Sequence, residues 1–378
     1  MDQITMFNDV PAPGEVTPGW LTAVLRKAGL LPEGEVEEIK RETTGAFNSH
    51  TNRLVLRYSP GVSPDVPTRF VLKQNTPVAW SREAGRLEVK FYRLVATLPD
   101  HPPVIIPCYG AAYDEQTGNS YVLLRDLTET HRPPITRDQQ INFVEGVPLP
   151  AYMEAVVTTL AELQAYWWDN PLIKAAPFDV GYWSRDAERF DLYLKHRQKS
   201  WQGLIAREAD RFPADLREFY EKLFERLPLF WEKYVAPRFR ESKNLTLMHG
   251  DSYFCNFLCP RVPGSGPTYL LDWQSPGFDP GAYDLVNLLA TFWTPDQRHE
   301  QQREEKLLRL YYKVLQERGV TNYSWDELLT DYRLGLIFWV FMPVQDGFDG
   351  SAKDYWWPKM QCLVAAFQEW ECGQLLGF

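Results

Sequence analysis

The sequence predicts an α+β protein of two lobes, a small N-terminal lobe with an antiparallel sheet plus helix and a larger, mostly helical C-terminal lobe. Short apolar segments separated by turn residues lie before residue 125, whereas helical periodicity dominates from Pro150 onward. A proline-rich stretch, Thr130 to Pro134, separates the two patterns, so the predicted lobes are residues 1–127 and 128–378. With 378 residues and 44% apolar composition, the chain can bury two substantial cores.

The composition argues against several classes of partner. The net charge is −10 and no block of Lys or Arg occurs, so nucleic acid is not expected. Five cysteines, an odd number at unpaired spacings, favour reduced thiols. The N-terminus lacks the basic and apolar regions of a signal peptide, and the longest apolar run, Leu334 to Val344, is about half of the ~20 residues that span a bilayer. We therefore expect a cytoplasmic protein with no membrane partner.

The N-terminal lobe should begin with a helix. Thr17 is suited to cap it, Pro18 to occupy its first position and Gly29 to end it. Two strands follow, Val36 to Thr43 and Thr51 to Tyr58, and their connection is rich in small and turn-forming residues.

A third strand, Arg69 to Lys73, alternates in polarity and ends on a lysine. The helix predicted from Trp80 to Leu98 carries one apolar stripe, with Glu83 and Glu88 on its opposite edges, so periodicity alone does not choose between these two acids. Two more strands are predicted, Pro103 to Tyr113 and Ser120 to Leu124.

The C-terminal lobe is predicted to be helical. The expected helices are Ala151 to Trp168 and, approximately, 186–210, 213–240, 280–293, 297–318 and 325–342. An acidic and aromatic loop is predicted from Asp346 to Trp357. This loop could line a pocket for a small molecule, the acceptor of any group transferred by the protein, with aromatic faces for an apolar or cationic group. Alternatively, it could be a surface loop packed by its own aromatics.

Two short segments carry dense polar chemistry: HGDSYFCN, from His249 to Asn256, and LLDWQ, from Leu270 to Gln274. The turn-rich connection between them predicts a β-hairpin, with a polar loop before it and Asp272 at its end. Asp251, Asn256 and Asp272 would then converge from both sides of one hairpin. Phosphoryl transfer needs this set, because a carboxylate acts as base for the acceptor hydroxyl and oxygen ligands hold Mg²⁺ on the nucleotide phosphates.

A metal-dependent hydrolase is the alternative interpretation of the His-x-Asp spacing. No further His or Cys lies at ligand spacing near His249, and no second pair completes a zinc set with Cys255 and Cys259. The residues therefore favour a kinase-type site.

The HGD-x₄-N pattern followed by DW is similar to that of the aminoglycoside phosphotransferase and choline kinase-like enzymes, relatives of the protein kinases. The Asp-Trp-Gln version, with DPGAYDLV at 279–286, most resembles the ecdysteroid-kinase-like branch. The resemblance implies a protein-kinase-like two-lobed fold. It makes Asp251 the catalytic aspartate, Asn256 a catalytic-loop residue and Mg²⁺ ligand, Asp272 the principal Mg²⁺ ligand and Asp284 a brace for the loop.

The same resemblance implies nucleotide contacts in the N-terminal lobe. Lys73 takes the place of the kinase lysine that pairs with the α- and β-phosphates, and Glu88, in an E-x-x-F-Y match, would be its partner. The loop from Gly45 to Ser49 would meet the phosphates, with only one glycine of the usual pattern. The backbone of Arg125 to Leu127 would bind adenine as a hinge, with Arg125 where the family usually has an acid.

Motif and resemblance together predict an ATP- and Mg²⁺-dependent transferase, a small-molecule O-kinase that moves the γ-phosphate to a hydroxyl of its acceptor. The alternative is a nucleotide-binding pseudokinase scaffold, which the presence of Lys73, Asp251 and Asp272 disfavours. The acidic, aromatic segment favours a cationic acceptor, whereas the Asp-Trp-Gln signature favours a bulky hydrophobic alcohol. The choice of acceptor, of ATP or GTP, and of oligomeric state stays open at this point.

Overall fold

The computed structural model describes residues 10–12, 14–44, 49–98, 100–208 and 212–378. Its packing divides the chain into two compact units, the first formed by Met1–Arg132 and Leu258–Pro276, the second by Pro133–Phe257 and Gly277–Phe378. The segment around Asp272 thus packs within the first unit, whereas the division into 1–127 and 128–378 assigns it to the C-terminal lobe. About 51% of the residues are helical and 15% lie in strands, an α+β composition.

Ten strands lie in the described part of the chain: β1 Val36–Thr44, β2 Ser49–Tyr58, β3 Arg69–Asn75, β4 Cys108–Tyr113, β5 Ser120–Arg125, β6 His131–Arg132, β7 Thr246–Met248, β8 Phe257–Pro260, β9 Tyr269–Leu270 and β10 Gly277–Asp279. Fourteen α-helices lie there as well: α1 Pro18–Lys27, α2 Ala79–Ala96, α3 Arg137–Ile141, α4 Pro150–Trp167, α5 Ala187–Glu208, α6 Ala214–Phe230, α7 Ala236–Glu241, α8 Ala282–Leu289, α9 Pro295–His299, α10 Arg303–Glu317, α11 Trp325–Trp339, α12 Met342–Phe348, α13 Lys353–Glu369 and α14 Gly373–Leu376.

The first unit is built on a five-stranded antiparallel sheet in the order β1-β2-β3-β5-β4. Alternation along β3 buries Phe70 and Leu72 in one core and places Lys73 on the other face. Helix α2 packs against β3, β4 and β5 and brings Glu88 to Lys73. A smaller sheet, in the order β6-β8-β9, contains the predicted hairpin, which the pairing of β8 with β9 confirms.

The second unit is mostly helical. Its short antiparallel pair, β7 with β10, leads directly into the segment that begins at His249. Every residue of α8 is buried, including Asp284 in its first turn. None of the described helices of the chain is long and apolar enough to cross a membrane.

Two predictions for the second unit are wrong. The helix expected at 297–318 is divided, because α9 ends at His299 and α10 begins at Arg303, whereas the helix expected at 325–342 is present as α11 and ends at Trp339. The loop expected from Asp346 to Trp357 is mostly helical, since α12 continues to Phe348 and α13 begins at Lys353. Gly347, which falls within the expected loop, lies in α12, where an added Cβ would come 3.0 Å from Leu204 and 3.1 Å from Trp356. The glycine therefore permits close helix packing.

Candidate active site

The ammonium of Lys73 lies between two carboxylates of the first unit. Its Nζ is 2.7 Å from Glu88 Oε2, and it also forms an ion pair with Asp272. The Glu88 side chain is 3% exposed, whereas that of Glu83 is 58% exposed and pairs with Arg86. The structure thus places Glu88, and not Glu83, against Lys73.

The electrostatics of this triad keep Lys73 charged. Burial alone would lower the pKa of Lys73, but the charges of Asp272 and Glu88 outweigh it and raise that pKa above its ordinary value. Burial also raises the pKa of Glu88, an effect that the ammonium opposes. The two carboxylates thus keep the Lys73 ammonium protonated and hold it in place, as a lysine that pairs with a phosphate requires.

Trp273, the residue after Asp272, holds this arrangement in place. Its ring stacks on Phe91 of α2 with centroids 3.7 Å apart and planes 10° apart, and its Nε1 donates to Leu270 O at 3.2 Å. Phe91 lies three residues after Glu88, so one side of α2 carries both contacts. Asp272 has a φ of +67°, an uncommon backbone conformation for a residue with a Cβ and one that concentrates at functional sites.

A small polar pocket lies beside Lys73 in the first unit. Ser49, Asn75, Ser120 and Gln274 contribute to its polar lining, together with Lys73 and Glu88. The Ser49 hydroxyl lies 2.9 Å from that of Thr51 on the same strand. Two members of the predicted phosphate site, Ser49 and Lys73, thus line one pocket, whereas Gly45 lies outside the described residues.

The predicted adenine-binding segment, Arg125 to Leu127, lies at the end of β5. The Arg125 side chain is exposed, and its backbone N–H donates to Pro107 O at 3.0 Å. Leu127 is buried, and its carbonyl accepts the backbone N–H of His131 at 2.8 Å. These two backbone groups are already engaged within the unit, so a nucleotide edge would have to use others, and the role of the segment stays a prediction.

Asp284 braces the loop that contains Asp251. Its buried carboxylate accepts the backbone N–H groups of His249 at 2.8 Å and of Gly250 at 2.9 Å. Gln164 donates its side-chain N–H₂ to the same carboxylate at 3.0 Å. Burial raises the pKa of Asp284 to about 6, and these donors oppose the shift. The fully buried carboxylate thus fixes the start of the loop in one conformation.

Asp251 and Asn256 are joined directly by this loop. The Asn256 amide N–H₂ donates to Asp251 O at 2.7 Å and to Asp251 Oδ2 at 3.1 Å. The Asp251 N–H in turn points at Nδ1 of His249, 3.2 Å away. His249 is fully buried, which is the environment of a structural loop residue. Because the Asn256 nitrogen is used inside the loop, its Oδ1 is the atom suited to ligate a cation.

The donor chemistry fits Mg²⁺ and a nucleotide. A carboxylate from Asp272 and a carboxamide oxygen from Asn256 are the hard oxygen ligands that Mg²⁺ prefers. The described residues contain no group of three or more His, Cys, Asp or Glu side chains arranged to hold a metal. A Mg²⁺ site completed by substrate phosphates does not require one, because one or two protein ligands suffice there.

Sequence reasoning missed Lys359. This lysine is 2% exposed in the second unit, and its ammonium donates to Asp346 Oδ2 at 2.9 Å and to Tyr253 OH at 3.1 Å. It also lies 5.5 Å from the ring centroid of Tyr355. Burial lowers the pKa of Lys359, but Asp346 and the tyrosines raise it further, so the net shift is upward. Nothing in the sequence signals its burial, because its partner Tyr253 is far away along the chain.

The sheet-bearing unit with its lysine–glutamate pair and the helical unit with its braced Asp–Asn loop define a protein of the kinase-like, phosphotransferase class. The sequence model of the phosphotransferase enzyme family (APH) matches residues 50–315, more than half of the chain. The chain therefore belongs to the phosphotransferase enzyme family, and this membership supports a small-molecule phosphotransferase activity.

Solved structures agree with this class. The chain is similar to the GDP complex of a mutant aminoglycoside 2′-phosphotransferase-IIIa, with a TM-score of 0.51 and 16% identity over 95% of this chain and 96% of that one. It is also similar to a microcompartment-associated aminopropanol kinase, with a TM-score of 0.52 and 11% identity over 92% of this chain and 96% of that one. No curated protein is a significant sequence match. At such identities the likeness shows the fold, which confirms the predicted kinase-like fold class.

Proposed function

We propose that the protein is an ATP- and Mg²⁺-dependent small-molecule kinase that transfers the γ-phosphate to a hydroxyl group of its acceptor. The observation that carries this proposal is the ion-paired Lys73, held by Glu88 and Asp272. The two carboxylates keep this ammonium protonated and in place, and a lysine held by a glutamate in this way pairs with the nucleotide phosphates in kinases. Family membership supports the phosphotransferase class, and the Asp-Trp-Gln sequence favours the ecdysteroid-kinase-like branch.

The proposal assigns nucleotide binding to the first unit. Lys73 and the Gly45–Ser49 loop bind the phosphates, Glu88 positions Lys73, and the backbone between Arg125 and Leu127 meets the adenine edge. Asn256 and Asp272 hold Mg²⁺, which when bound neutralises charge on the phosphates.

Asp251 is the proposed catalytic aspartate. It accepts a hydrogen bond from the acceptor hydroxyl and orients the oxygen toward the γ-phosphorus. As the new oxygen–phosphorus bond forms and the bond to ADP breaks, the hydroxyl becomes acidic and its proton passes to the carboxylate. Asn256 holds Oδ2 of this carboxylate at 3.1 Å, so the side chain is oriented before the acceptor binds.

The test follows phosphate esters by ³¹P NMR with Mg-ATP and pooled hydroxyl compounds. The native protein is compared with Asp251→Asn and with Asp326→Asn, a matched change at an exposed position in the second unit. We expect a new ester with the native and Asp326→Asn proteins, and none with Asp251→Asn. An ester formed at the native rate by Asp251→Asn would remove Asp251 from the mechanism. Mg²⁺-dependent ATP binding without any ester would favour the scaffold alternative.

A further inference from the structure

We propose that the acceptor is a hydroxy acid, and that its carboxylate binds Arg197 in the second unit. This inference rests on the proposed kinase function and adds the chemical class of the acceptor. It concerns α5 and α12, which pack on each other and lie outside the motifs that carry the family resemblance.

Arg197 is a buried cation whose contacts are neutral. It is 5% exposed, and its guanidinium donates to Gln345 Oε1 at 3.4 Å and to Met342 Sδ at 3.6 Å. Among the residues that the structure describes, no carboxylate forms an ion pair with it, and its Nε–H has no hydrogen-bond partner. Two other arginines of the unit are compensated: the buried Arg298 pairs with Glu304 and Glu369, and the half-buried Arg238 pairs with Asp331. An uncompensated buried guanidinium indicates a missing anion.

The surroundings of Arg197 favour a flat carboxylate. The guanidinium carbon lies 5.0 Å from the ring centroid of Tyr193 and 5.7 Å from that of Trp183. These rings stabilise the cation through its faces, but they do not accept the in-plane N–H donors. The buried Tyr193 hydroxyl lies against the Arg197 guanidinium, and no described residue accepts its O–H. A carboxylate can accept from the guanidinium edge and from this hydroxyl, and the rings favour an apolar body attached to it.

Contacts within the second unit connect this site with the catalytic loop. Gln345 and Asp346 are consecutive in α12, and the first contacts Arg197 while the second binds Lys359. Lys359 in turn reaches Tyr253, two residues after Asp251. The acid nearest in this network, Asp349, is exposed and bonds to the Gln345 amide rather than to the guanidinium.

The same contacts argue against a cationic acceptor. The aromatic face of Tyr355, which could have bound an amine, is already covered by the ammonium of Lys359. Asp346, the nearby carboxylate, is neutralised by that ammonium. Arg197, which contacts α12, is a second buried positive charge in this unit. An amine bound next to it would be repelled, whereas a carboxylate would be attracted.

The test compares the affinities of three compounds that share one carbon skeleton and differ in the charge of one group. Affinity is measured by isothermal titration calorimetry in the presence of Mg²⁺ and a non-hydrolysable ATP analogue. The compounds are 4-(hydroxymethyl)benzoate, its neutral primary amide and 4-(hydroxymethyl)benzylamine. We expect the native protein to bind the carboxylate at least tenfold more tightly than the amide or the amine, the range of one charge-assisted pair. Failure of the carboxylate to bind, or equal binding of the amide or amine, overturns the proposal.

Three variants test whether Arg197 and Tyr193 are the residues that bind the carboxylate. Arg197→Gln should remove the preference, whereas Lys199→Gln, the same charge change at an exposed position of α5, should keep it. Tyr193→Phe should weaken carboxylate binding a few-fold, and it keeps the test decisive if Arg197→Gln does not fold. If folded Arg197→Gln still prefers the carboxylate, the carboxylate binds elsewhere and the proposal is wrong. If Arg197→Gln does not fold, an undiminished preference in Tyr193→Phe leads to the same conclusion. Because the nucleotide analogue does not react, these results are independent of whether phosphate transfer is observed by ³¹P NMR.

Discussion

Replacing Lys73 with Met should destabilise the protein in a pH-dependent way, because it leaves Glu88 buried without its counter-charge. With 3% of its side chain exposed, Glu88 has little access to water, so it must take up a proton in the folded state. At pH 7, binding that proton costs about 1.4 kcal/mol for each of the ~2.5 pH units above the ordinary pKa of 4.5, or about 3.5 kcal/mol in total. At pH 5 the same cost is under ~1 kcal/mol.

Proton linkage determines the direction in which the stability of Lys73→Met changes with pH. In the variant, the folded state holds a proton that the unfolded chain releases, so stability falls as the pH rises above the ordinary pKa of the carboxyl. Asp272 adds little to this effect, because its side chain is 35% exposed and stays hydrated. The double variant Lys73→Met/Glu88→Gln has no buried carboxyl to protonate, so its stability should not share this pH dependence.

The assay is urea unfolding, followed by tryptophan fluorescence at pH 5 and pH 7. It compares the native protein with Lys73→Met, Glu88→Gln and the double variant. Glu83→Gln is the control, and we expect it to change the unfolding free energy by under ~0.5 kcal/mol, because its pair with Arg86 is exposed. An equal loss for Lys73→Met at both pH values, or no recovery in the double variant, would refute the reasoning. A loss from Glu83→Gln as large as that from Glu88→Gln would do the same.

Two further predictions concern packing and bracing. In Asp284→Asn, one side-chain oxygen remains to accept a backbone N–H, but the new N–H₂ faces the other of the two backbone donors, His249 and Gly250. We therefore expect the unfolding free energy, measured by denaturant titration, to drop by about 1–3 kcal/mol. Because the pKa of Asp284 is raised to about 6, its share of native stability declines as the pH rises from about 4 to about 6, and pH-dependent melting of the Asn variant should lack that slope. Gly85→Ala places a Cβ 2.2 Å from Ser120 Oγ and should cost about 1–3 kcal/mol. Adding Ser120→Ala should recover most of that loss, and a stabilising Gly85→Ala would contradict the close approach of α2 to Ser120.

The sheet of the first unit was largely predictable, because local patterns determine it. Alternation in β3 and the apolar stripe of α2 each reflect which side of the element is buried. The choice between Glu83 and Glu88 was not available from periodicity, since both acids flank the same stripe. It depends on which edge of α2 faces Lys73, and that is set by the packing of the helix on the sheet.

The second unit was harder to predict for a related reason. Gly347 and its acidic neighbours resemble a loop in the sequence, but the glycine is required for helix packing. Arg197 and Lys359 could not be identified as buried cations, because burial of a charged side chain depends on partners far away in sequence. Asp251 and Asn256 were identifiable because their loop chemistry is local, although their roles stay proposals.

The stack of Trp273 on Phe91 has a consequence for regulation. In protein kinases, displacement of the helix that carries the glutamate breaks the ion pair with the lysine and turns the enzyme off. Here the same displacement of α2 would also unstack two large rings and expose Glu88 without its partner. Those losses together amount to about 4 kcal/mol, which keeps a displaced helix below ~1% of molecules. Helix α2 therefore keeps its position in nearly all molecules, and its displacement is disfavoured as a means of regulation.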